Sequence, residues 1–129
     1  MKIEVSNGEI VDKMTILELK LDKITNITQL KNIEKEWAVL NDGVMALYQI
    51  YGDSALYSKV DELSEINSQL WDIEDWIRDC EKEQRFNKEF VELARSVYKL
   101  NDQRSEVKRQ INLLTNSGLI EEKSYKDYI

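Results

Sequence analysis

Arg104 stands in an apolar seam that is otherwise unbroken: Phe90, Leu93, Val97, Leu100, Arg104, Val107, Ile111 and Leu114. Alternating three- and four-residue steps of this kind mark one buried face of a helix. A guanidinium keeps its charge at any accessible pH, so in such a place it needs an anionic partner or an anionic ligand. The flank beside it is polar at helical spacing: Tyr98, Asn101, Ser105, Lys108 and Asn112. On the preceding helix Asn67, Trp71, Glu74 and Arg78 follow one flank. If these two helices form a hairpin turning near Arg85, Arg104 lies level with Ile66 and Asn67, and Lys108 with Glu62. The spacing predicts a polar layer of Arg104, Asn67 and Asn101, with Glu62, Glu65 or Glu74 as counter-charge. The better-attested use of such a layer is structural, fixing the register of heptads that are otherwise interchangeable. The functional alternative is an anion pocket beside Tyr98, in which Arg104, Lys108 and Arg95 hold a phosphate or carboxylate. Asn67 and Asn101 then orient the ligand. A third outcome is that Arg104 snorkels to solvent.

The first helix offers less. Asn7-Gly8 places helix-start amides where an anion could sit, and Asp12 and Lys13 flank the apolar stripe. Thr15 and Glu18 fall mostly outside that stripe. An exposed Asp-Lys pair contributes little to stability, and a cap with a solvated face is the plainer reading. Among the acids, Glu62-x-x-Glu65 resembles half of the magnesium site of all-α nucleotide pyrophosphohydrolases. The fourth helix offers no Glu-x-x-Asp to face it, and Glu89-x-x-Glu92 lies far away in the hairpin register. Glu62, Glu65 and Glu74 are the candidate metal ligands if the protein is such an enzyme; otherwise no metal and no cofactor is expected.

Several chemistries are excluded by composition. There is no histidine and a single cysteine, Cys80, so Cys/His zinc sites, Ser-His-Asp triads and internal disulfides are out. The four glycines are isolated, and no dinucleotide or Walker loop exists. The net charge of −7 argues against non-specific nucleic-acid binding. The charge is uneven, however: residues 87–112 carry six Lys/Arg against four Asp/Glu, facing an acidic remainder.

These residues need long helices to position them. Proline is absent, and the apolar stripes predict helices over about 7–24, 28–51, 54–83 and 87–115, followed by a docked tail over 119–129. Ser6 with Glu9 fits a capping box, Asp53 or Ser54 caps the third helix, and Asn87 caps the fourth. Gly52 and Gly118 read as helix-ending glycines, and Gly43 as a weak point or a close helix crossing. The 129 residues fit one domain. The expected fold is an all-α antiparallel bundle of about four helices, with a long hairpin formed by the third and fourth. Two helices of roughly 43 Å leave apolar flank uncovered, which favours a homodimer. No segment reads as a membrane span or a signal peptide, and the lone cysteine suits a reducing compartment, so a cytoplasmic location is expected.

Three stretches carry a family resemblance: Glu4-Val5-Ser6-Asn7-Gly8-Glu9-Ile10-Val11-Asp12-Lys13, Glu92-Leu93-Ala94-Arg95-Ser96-Val97-Tyr98-Lys99, and Ile111-Asn112 with Glu121-Glu122-Lys123-Ser124-Tyr125. The chain resembles a family of small uncharacterised helical proteins of bacteria and marine phages, some encoded near glycosyltransferase genes. The resemblance spans nearly the whole length. It implies a helical fold and an association with surface-polysaccharide synthesis, but supplies no catalytic residue. The function expected first is therefore a binding or adaptor protein whose anion-binding layer meets a protein partner or a small anionic ligand. The alternatives are a magnesium-dependent hydrolase of a nucleotide or sugar phosphate, and a purely structural dimer.

Overall fold

A computed structural model describes residues 1–129 and contains four helices and no strand: α1 (Asn7–Lys23), α2 (Ile27–Tyr51), α3 (Ser54–Lys82) and α4 (Lys88–Leu114). Every start is capped by a side chain. Ser6, Asn26, Asp53 and Asn87 accept from the amides of Glu9, Gln29, Leu56 and Phe90, satisfying donors that the first helical turn leaves free. None of the helices is long and apolar enough to cross a membrane.

The α3–α4 hairpin is the longest interface, and α1 packs against all three other helices. The core is Val11 from α1, Leu56, Leu63 and Ile66 from α3, and Val107 and Ile111 from α4. Leu47, Tyr48 and Tyr51 of α2 close it from one side, and Val60, Leu70 and Leu100 extend it along the hairpin. The expected apolar stripes face inward almost throughout; Leu114, the last member of the α4 seam, is exposed.

Gly43 and Gly118 differ from expectation, while Gly52 is the C-cap of α2 as read from sequence. Gly43 is not at a close crossing, because nothing lies within 4 Å of where a Cβ would stand. The close crossing is at Gly8, where a Cβ would meet the Lys108 carbonyl oxygen at 2.5 Å and Asn112 Oδ1 at 2.9 Å. Gly52 ends α2 with an ordinary negative φ of −62°. It is needed for space, since a Cβ there would strike the Tyr48 carbonyl and the Tyr57 hydroxyl. Beyond α4 the left-handed residue is Asn116, at φ 51°, and not Gly118.

Residues 115–129 form an extended strap without helix, laid back along α4. Arg109 Nη1 donates to Glu122 (2.7 Å), Asn112 Nδ2 to Glu121 (3.3 Å) and the Tyr128 hydroxyl to Asp102 (2.7 Å). The Tyr98 and Tyr128 rings meet edge to face with centroids 5.1 Å apart.

Candidate functional site

Asp12 is the centre of the polar layer. Its residue is 1% exposed, held where α1 wedges onto the α3–α4 hairpin. Arg104 grips it with both prongs: Nε donates to Oδ1 at 3.0 Å and Nη2 to Oδ2. Asn67 Nδ2 donates to the same Oδ1 and to the Thr15 hydroxyl, each at 2.9 Å. The Thr15 hydroxyl in turn donates to the Asp12 carbonyl at 2.7 Å. Lys108 Nζ binds Glu9 Oε2 at 2.6 Å and stands 3.8 Å from Asp12 Oδ2. A buried carboxylate is tolerable only when paired and hydrogen-bonded, and here both oxygens are served. The hydrogen bond to Asp12 raises the Arg104 pKa against the opposing effect of burial, so the guanidinium stays charged.

This corrects four sequence-based expectations. The counter-charge for Arg104 comes from α1, and not from Glu62, Glu65 or Glu74 of α3. Lys108 meets Glu9 in place of Glu62. Asp12 and Thr15, read as flanking or outside the apolar stripe, are buried. Arg104 itself is not fully enclosed, with 28% of its side chain exposed. Heptad arithmetic within one hairpin could not reveal a partner on a third helix.

The start of α1 is also occupied. Asn7 N donates to Ser117 Oγ (3.0 Å) and Gly8 N to the buried Asn112 Oδ1 (2.6 Å). Asn7 Nδ2 reaches Thr115 Oγ1 at 3.1 Å. The amides that might have held an anion instead fasten α1 to the end of α4, and Asn7 serves that joint. Glu9 does not complete a capping box, because its carboxylate goes to Lys108.

Beside the layer, α4 and the strap enclose a cleft of about 480 Å³. From α4 it takes Tyr98, Asn101, Asp102, Arg104, Ser105 and Lys108; from the strap it takes Lys123, Tyr125, Lys126 and Tyr128. Four cations face one carboxylate, Asp102. Lys123 and Lys126 join none of the ion pairs of the molecule. Arg104 Nη1 has no protein partner, its other two nitrogens being held by Asp12. A cleft of this kind can hold an anion, and its tyrosines can flank a flat ring.

Of the residues singled out from sequence, Arg104, Asn101, Lys108 and Tyr98 converge on this cleft. Asn67 and Asp12 lie behind Arg104. Arg95 is exposed on α4 and lines neither this cleft nor the adjoining groove. Lys13 points the other way, 3.7 Å from Glu36 of α2. Glu74 pairs with Arg78 at 3.2 Å and not with Arg104. The candidate metal ligands do not converge: Glu62 binds Lys59, Glu65 accepts from Gln69, and with Glu74 they line three separate grooves. No group of three or more metal-ligating side chains forms. Sequence reasoning missed the strap lysines. The signal was available in Lys123-x-Tyr125-Lys126-x-Tyr128, a basic and aromatic alternation that reads as a docked tail until its facing helix is known.

The chain belongs to a family of unknown function, DUF6165, which matches it over residues 1–129. A search of the curated proteins and of the solved structures finds no match.

Proposed function

We propose that this member of a family without an assigned activity is a small-molecule-binding protein. Its cleft between α4 and the strap takes a phosphorylated, ring-bearing anion of the nucleotide type. The observation that carries this is the charge of the cleft: Arg104, Lys108, Lys123 and Lys126 against Asp102 alone, in a chain of net charge −7. Two of these cations are unpaired, and repulsion among four like charges lining one cleft disfavours their clustering until an anion enters. Arg104 is preorganised by Asp12, so little side-chain entropy is lost when its remaining prong meets an oxygen. Tyr98, Tyr125 and Tyr128 supply flat apolar surface beside the charges.

The test is calorimetric titration with ADP, GDP, UDP, CDP and inorganic pyrophosphate. At least one nucleotide is expected to bind, and the Lys123→Glu/Lys126→Glu variant to weaken it at least about tenfold, or ~1.4 kcal/mol. Failure of every nucleotide, or unchanged affinity in the variant, would sink the proposal. A binding role of this kind fits an accessory or adaptor protein in surface-polysaccharide synthesis, as the resemblance suggests, and requires no magnesium chemistry from the dispersed Glu62, Glu65 and Glu74. Dimerisation belongs to the same proposal. Val39 and Ile50, on one side of α2, are 74% and 72% exposed, and a second copy would cover them.

A further inference from the structure

We infer that the site continues past Arg104 into a second lobe that takes a neutral, hydroxylated ring, so that the full ligand is a nucleoside diphosphate sugar. This rests on the anion proposal above and extends it. A groove of about 560 Å³ opens on the other side of Arg104, between α1, α3 and α4. Arg104 and Asn101 line both spaces, so the two lobes meet at the guanidinium.

The second lobe is balanced in charge where the first is cationic: Arg78 and Arg104 line it together with Glu74 and Asp75. Trp71 is half-buried there beside Leu70, with Glu74 and Asp75 at the rim. Asp75 joins no ion pair. Arg78 neutralises Glu74 at 3.2 Å, which leaves Asp75 as the carboxylate free to accept from hydroxyl donors. A sugar ring offers an apolar C–H face for the indole and a rim of hydroxyls for carboxylate and amide groups. Asn67 adds an independent sign. The residue is only 6% exposed and lines this lobe. Its Nδ2 is spent on Asp12 and Thr15, while its Oδ1 accepts from no protein group. That oxygen is open to solvent, since the molecule's buried unpartnered side-chain atoms are on Trp37 and Gln110, and a ligand hydroxyl can take the place of water there. Phosphates at Arg104 and Lys108, a base among the tyrosines and a sugar against Trp71 follow the fall in positive charge from the cleft to the groove.

The experiment uses the full chain with Trp37→Phe and Trp76→Phe, which leaves Trp71 as the sole indole among three tryptophans. Each nucleoside diphosphate and its glucose ester are titrated while Trp71 emission is recorded. The ester of the preferred base is expected to bind at least tenfold tighter than the nucleotide and to shift the emission. Trp71→Ala should abolish that advantage while leaving nucleotide affinity unchanged. Asp75→Asn, at an exposed position, should reduce the advantage without altering the thermal melt. If nucleotide and ester bind equally and the emission is unmoved, the second lobe is not a sugar site, although the anion cleft stands. If neither binds, both proposals fall.

Discussion

Replacing Arg104 by methionine tests the layer most directly. Methionine keeps much of the volume and removes the charge. It leaves the Asp12 carboxylate, in a residue 1% exposed, with one amide donor from Asn67 and a lysine 3.8 Å away. Two charge-assisted hydrogen bonds are lost, each contributing ~1.5–3 kcal/mol. Stranding one member of a buried pair costs about 3–5 kcal/mol. The nearby Lys108 and the partial exposure of Arg104 place this case toward the lower end, near ~3 kcal/mol. Urea titration followed by circular dichroism measures it, with the slope required to match wild type so that the midpoint reports stability alone. Asp12→Leu and the Asp12→Leu/Arg104→Met double variant complete a cycle, which should show coupling of at least ~2 kcal/mol. The elevated Arg104 pKa contributes stability that is present below its ordinary range and lost only above it, so the penalty should be flat from neutral to mildly alkaline pH. A change within about 0.5 kcal/mol of wild type would show that solvent or Lys108 already serves Asp12, and the account of the layer would be wrong.

Gly8→Ala should destabilise by ~1–3 kcal/mol in the same assay, because the new Cβ meets a backbone carbonyl that cannot turn aside. Gly43→Ala should stabilise by up to ~1 kcal/mol, since the space is open and the helix is regular there. Burial pushes the Glu121 carboxyl up, but hydrogen bonds from Ser6, its own amide and Asn112, with the charge of Lys108, hold it below the usual carboxylate range. Its contribution to strap docking is therefore complete above that range and lost as pH falls through the lowered value. Amide resonances of residues 119–129 should report release of the strap in acid, and Glu121→Gln should lose that acid-side step. Light scattering at micromolar concentration should give a dimer mass, with Val39→Lys/Ile50→Lys shifting it to monomer; a monomer in the native chain would refute the dimer.

The helical class, the α3–α4 hairpin and the inward stripes were legible because each follows from local periodicity. Three- and four-residue steps need no knowledge of the partner surface. The caps Ser6, Asp53 and Asn87 were legible for the same reason. What periodicity cannot say is where a third helix docks. Asp12 reads as a flanking acid until α1 is laid across the hairpin; only then does it become the buried anion opposite Arg104. Gly8 and Gly43 were interchangeable as letters, and only the crossing of α1 over Lys108 separates them. The strap lysines became visible as half of a cleft once residues 115–129 turned back along α4.

Under the binding proposal, the choice between a structural and a functional Arg104 is a false one. Asp12 holds two of its three nitrogens, and that same grip fixes the third between two grooves. An arginine satisfied on every nitrogen would only set register. An arginine with no internal partner would wave in solvent and lose entropy on meeting a ligand. Half-committed, it is placed for both: the fold fixes its direction, and its charge remains partly exposed beside Lys108. The acidic partner comes from α1, behind the guanidinium, and lines neither groove. Placing Asp12 behind the guanidinium, at 1% exposure, keeps its oxygens off the cleft wall and leaves Nη1 as the nitrogen of Arg104 without a protein partner.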